Sequence, residues 1–117
     1  TASITPSSAT SKILVTATTS ISQSSTAGLV VFNLLRGSTN LSQPDTTPAF
    51  NGTMGAYSMD ASAITPATIN FLDSPSTTSA TTYKIQLRVH AGTCLLNGRN
   101  TNDGAFTSTL TLMEVAG

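Results

Sequence analysis

The chain has 117 residues, a formal net charge of zero and only 9% charged residues. That length suits one domain with a single core, residues 1–117, and the five basic residues, Lys12, Arg36, Lys84, Arg88 and Arg99, are too scattered to form a nucleic-acid-binding patch. A hydrophobic fraction of 38% argues against disorder, the longest apolar run is too short to span a membrane, no signal peptide is visible, and a lone Cys94 excludes an internal disulfide framework.

Ser and Thr make up about a third of the residues. Thr suits a pleated, half-buried surface and Ser suits turns, whereas good helix formers nowhere cluster at helical spacing. With so little charge to hold copies apart, the surface suits a subunit of an assembly. The chain begins at Thr1 rather than Met, which points to processing, to a piece of a longer protein, or to omitted first residues.

In chain order, Thr1 to Pro6 reads as a short extended segment and Ser7 to Ser11 as a turn. Lys12 to Ser20 is a strand with Ile13, Val15 and Ala17 on one face and Lys12, Leu14, Thr16 and Thr18 on the other. After a polar loop, Gly28 to Leu35 is apolar except at Asn33, the signature of a strand buried on both faces. One face belongs to the core, and the other needs a second layer or a neighbouring subunit. Leu29, Val31 and Leu35 are therefore candidate oligomer contacts. Arg36 to Thr39 reads as a tight turn, Asn40-Leu41 as a short return and Ser42 to Gly52 as a surface loop. Met54 to Ala63 is a further strand with Met54, Ala56 and Ser58 opposed to Gly55, Tyr57 and Met59.

The strongest pattern follows. Ala67 to Leu72 alternates, Asp73-Ser74-Pro75 stops it, and Thr81 to His90 alternates again, with Tyr83, Ile85, Leu87 and Val89 apolar and Lys84, Gln86, Arg88 and His90 polar. We expect Ala67 to Val89 to form a long hairpin-like antiparallel pair. Thr93 to Leu96 is short and apolar, Asn97 to Gly104 is a turn-rich tip, and Ala105 to Val115 is the closing strand. The expected fold is an all-β antiparallel β-sandwich, jelly-roll-like, with about seven to eight strands.

No catalytic set emerges. His90 lies on a polar face, and Cys94, four positions on, would sit more than ~10 Å away on an extended strand. Cys94 itself reads as a small buried hydrophobe. The carboxylates Asp45, Asp60, Asp73, Asp103 and Glu114 are dispersed, without the facing pair glycoside hydrolysis needs. Asn100, Asn102 and Asp103 could offer oxygens to calcium, but such loops read first as turns. Asn51-Gly52-Thr53 matches the N-glycosylation pattern. No cofactor or metal is expected. Glu114, on a half-buried strand beside Met113, needs a partner among Lys12, Arg36, Lys84 and Arg88 or across a subunit boundary; both residues join the candidate oligomer contacts.

An ordered series of segments carries a resemblance: Ile4-Thr5-Pro6 with Ser11 to Val15, then Leu34-Leu35-Arg36-Gly37-Ser38, Phe71 to Pro75 with Thr77 to Lys84, and Ser108 to Ala116. It resembles the β-rich C-terminal or head domains of fibre-like virion proteins of tailed bacteriophages, notably cyanophages and other marine phages. The resemblance implies a non-enzymatic virion structural protein, a homotrimer contacting other virion proteins, located on a tail fibre or the capsid surface. As a fibre head it would attach to a host-surface glycan or protein through turn-rich loops, without inserting into a membrane or binding nucleic acid. Tyr57, Asn97, Arg99, Asn100 and Asn102 are the available groups for such a contact. Two alternatives stay open: a capsid decoration protein, and a carbohydrate-binding module outside any virus.

Overall fold

The computed structural model describes residues 1–24, 28–44, 50–59, 63–99 and 104–117. Their regular elements are all strands: β1 (Ala2–Ile4), β2 (Lys12–Gln23), β3 (Gly28–Arg36), β4 (Thr39–Leu41), β5 (Met54–Ser58), β6 (Thr65–Asp73), β7 (Thr81–Val89), β8 (Cys94–Leu96) and β9 (Thr109–Val115). They form two antiparallel sheets, an arrangement consistent with a β-sandwich. In the first sheet β3 is central, with β7 and then β1 on one side and β4 and β5 sharing the other. In the second, β2 is central, with β6 along one side and β9 and β8 in succession along the other. The described strands number nine, more than the seven or eight expected, because the short N-terminal segment Ala2–Ile4 also pairs, with β7.

The expected hairpin of Ala67 to Val89 does not form. Among the described residues β6 pairs only with β2, whereas β7 pairs with β1 and β3, so the Asp73–Pro75 stop carries the chain from one sheet to the other. Alternation specifies a half-buried strand but not its neighbour. Here the inner face of each strand packs against the other sheet. The hairpin that does form is β3–β4, where Arg36 pairs with Thr39 and Gly37, at φ 58°, takes the positive φ at the first loop position.

The expected inner faces match the burial. Ile13, Val15 and Ala17 of β2, Val30, Phe32 and Leu34 of β3, Ala67 and Ile69 of β6, and Tyr83 of β7 form one buried cluster. Each large member contributes about 1.5–3 kcal/mol by leaving water. The second face of β3 is also covered: Val31 and Leu35 are buried. Over Val31 the cover comes from this chain, because Gly52 lies so close that a Cβ there would meet Val31 Cγ1 and the Phe32 carbonyl. Glycine is needed for that approach.

Candidate functional site

One end of the molecule is closed by a polar network. Asp73, the last residue of β6, points inward and is buried. Arg36 Nη1 donates to both of its oxygens at 2.8 and 2.7 Å, and the Tyr83 hydroxyl donates to Oδ2 at 2.6 Å. Arg36 and Tyr83 are cross-strand partners in the first sheet, so the network ties the two sheets together. Burial, reinforced by the bond to Asp73 and its charge, pushes the Tyr83 phenol well above its ordinary range. The sequence reading gave Asp73 only a turn role; its ligation needs the sheet-to-sheet crossing that sequence alone did not reveal.

Glu114 lies at the same end, on the inner side of β9 opposite Ile13. Its partner is not a cation. The Ser7 amide and the Ser7 hydroxyl each donate to Oε1 at 2.7 Å. Hydrogen bonds from the Ser11 side chain and from Ser7 hold the carboxyl below its ordinary value. Serine donors satisfy it because the turn before β2 passes directly over the end of β9.

Asn97 has a structural job. At φ 58° it sits where the edge of β2 passes from β9 to β8: its N–H donates to Ser20 O at 2.9 Å, and its Oδ1 accepts from Ser108 Oγ at 2.6 Å. Arg99 is half-buried nearby in sequence, while Asn100, Asn102 and Asp103 lie outside the described residues, as do Asp45 and Asp60. Tyr57 is exposed on the outer side of β5, directly across from half-buried Leu29. His90 packs edge-on against Phe50, with ring centroids 4.5 Å apart, and the Arg88 guanidinium lies over the same Phe50 ring at 4.3 Å. Cys94 is half-buried, its thiol pushed up by burial. Among the described residues no cluster of three His, Cys, Asp or Glu side chains could hold a metal.

The five nominated oligomer contacts do not share a patch. Leu29, Val31 and Leu35 face outward from the first sheet and Met113 outward from the second, while Glu114 points inward. What Met113 does join is a row that only the register reveals. Leu14 of β2 lies opposite Leu72 of β6 on one side and Met113 of β9 on the other. Leu72 is 49% and Met113 57% exposed, and Val115 adds further exposed apolar surface. Two rows beside it are hydrogen-bonding and neutral: Asn70–Thr16–Thr111 and Thr68–Thr18–Thr109. Lys12 is the one charged side chain on this outer face among the described residues of β2, β6 and β9. This nearly uncharged face, with its row of exposed apolar side chains, is the strongest candidate for a functional surface, because a contiguous exposed apolar patch rimmed by polar residues marks an interaction site. Its signal in the sequence was an apolar residue, Leu14 or Leu72, interrupting an otherwise polar side of an alternating strand. No protein-family model matches the chain, and no curated protein matches it.

Proposed function

We propose that the chain is a non-enzymatic structural subunit of a tailed-phage virion, a homotrimeric fibre head domain that attaches the particle to a host-surface glycan or protein. The observation that carries the assembly part is the uncharged outer face of β2, β6 and β9 with its Leu72–Leu14–Met113 row. An interface core is depleted of charge and rich in Met and large apolar side chains, and rotational symmetry would repeat this patch around an axis. The virion part rests on the ordered resemblance of the segments from Ile4 to Ala116 to phage fibre domains. A jelly-roll-like topology belongs to the same proposal, supported by the way the chain passes repeatedly between the two sheets.

Sedimentation of the chain tests the assembly: a trimer is expected, and Met113→Lys combined with Leu72→Lys should release monomers that keep the wild-type circular dichroism. A monomer at every concentration overturns the trimer. Antibody labelling of intact phage particles should mark the tail fibres; labelling over the head would replace the fibre role by capsid decoration, and no labelling would remove the virion altogether.

A further inference from the structure

The outer edge of β7 is only partly used. His90, just past β7, donates its N–H to Leu29 O at 2.9 Å, and Thr82 O accepts from Gly37 N–H at 2.8 Å. Even-numbered residues of β7 therefore turn their backbone groups toward β3 and its turn. Successive residues of an antiparallel strand alternate in this respect, so Tyr83, Ile85, Leu87 and Val89 point theirs the other way. Tyr83 meets Ala2 of β1 there. Ile85, Leu87 and Val89 meet no strand among the described residues.

Behind this open edge the two sheets do not fill the space between them. A gap of about 410 Å³, open to solvent, has apolar walls that include Phe32, Ile69, Ile85 and Leu87, with hydroxyl residues such as Thr1 and Ser108 also lining it and no charged side chain among them. An apolar cavity of about 150 Å³ already accepts a benzene molecule, so this one has room for several side chains. Ala17 and Ala67 also line it, and their small size on the inner face of the second sheet is one cause of the gap. Leu87 points into it yet is 40% exposed. An unpaired strand edge beside exposed, inward-facing apolar side chains is the geometry that strand addition uses: backbone bonds supply affinity and alternate side chains enter the pockets.

We propose that the free edge of β7, with the gap behind it, is an acceptor site for an extended strand of another polypeptide, pairing antiparallel in continuation of β1. The register of β1 fixes the chemistry of that strand. Ala2 pairs with Tyr83 and Ile4 with Thr81, on the inner side. The incoming segment must carry apolar residues opposite Ile85, Leu87 and Val89, with polar residues between them facing water. This inference is independent of the virion reading, since it follows from the pairing geometry alone.

The test joins Val-Thr-Val-Thr-Val directly before Thr1, which places the valines opposite Val89, Leu87 and Ile85. A control extension, Thr-Val-Thr-Val-Thr, turns its valines outward. The in-register extension should slow hydrogen exchange at the amides of Ile85, Leu87 and Val89 by roughly tenfold or more, and the control should leave them as in the parent chain. Equal exchange in both variants overturns the proposal. So does saturable one-site binding of 1-anilinonaphthalene-8-sulfonate that persists with the in-register extension, because the gap would then belong to a small apolar ligand. Should either fusion fold poorly, the in-register sequence is added as a free peptide; chemical-shift changes at Ile85 and Leu87 support the site, and their absence counts against it.

Discussion

The two ends of β7 carry the same alternation and have opposite surroundings. Tyr83 and Leu87 both point between the sheets, yet Tyr83 is fully buried while Leu87 is 40% exposed. At the Tyr83 end, Asp73 reaches across from the second sheet, Pro6 is fully buried and the serine turn is bonded to Glu114. At the Leu87 end, the facing sheet offers Ala17 and Ala67, and among the described residues no strand covers the edge. Alternation decides which way a side chain points. What fills the space it points into is decided by residues far away in sequence.

Asp73→Ala should have the largest effect. It removes the shared acceptor of Arg36 and Tyr83, leaving the buried phenol without its acceptor and the partly exposed guanidinium with the longer bond to Ser74 O. We expect a loss of about 3 kcal/mol in urea unfolding. Tyr83→Phe keeps the packing and removes one bond, for a loss of about 1 kcal/mol. At the other end Leu87→Ala should cost under about 1 kcal/mol, because the side chain is already partly in water. Equal losses from Asp73→Ala and Leu87→Ala would erase the distinction between the ends.

Added volume should sharpen the same contrast by its sign. Ala17→Leu places a side chain into the gap between Ile69 and Leu110, its cross-strand neighbours. Filling that space should raise stability by about 1 kcal/mol. Val15→Leu adds a methylene to a fully buried position on the same face, where repacking should cost about 1 kcal/mol. Thermal melts of the two variants check this. If Ala17→Leu also destabilises, the gap is too rigid or too shallow to accept a side chain.

The strands were largely legible in the sequence, and their partners were not. Ile13, Val15 and Ala17 declared one apolar face by alternation, whereas the apolar run from Gly28 to Leu35 declared a strand buried on both faces. The Arg36–Thr39 turn was readable because Gly37 is the residue that a short hairpin loop requires. Sequence proximity suggested that β6 and β7 pair, but alternation does not name a strand's neighbour, and the two pair within different sheets. Register was out of reach for the same reason. Leu14, Leu72 and Met113 lie far apart in the chain and become one row only once β2 is flanked by β6 and β9. Glu114 was recognised as needing a partner, but nothing in its neighbourhood named Ser7, since the contact depends on β9 ending beneath the turn before β2.

Glu114 gives the smallest expected effect and tests how the closed end is held. The Ser11 side chain and Ser7 donate to its carboxylate and lower its folded-state pKa. A lowered carboxyl pKa means the charged form is the stabilising one. Its contribution is complete above the unfolded value, roughly 4.3, and disappears as pH falls through the lower folded value. Glu114→Gln lacks that contribution at every pH. The melting temperatures of wild type and variant should therefore differ by a small constant amount from neutral pH down to roughly 5 and converge on further acidification. Ser7→Ala, which removes one donor while keeping the carboxylate, should shift the convergence to higher pH. A wild-type advantage that persists undiminished in acid would mean that the Glu114 side chain acts through its shape and uncharged hydrogen bonds rather than as a charged acceptor.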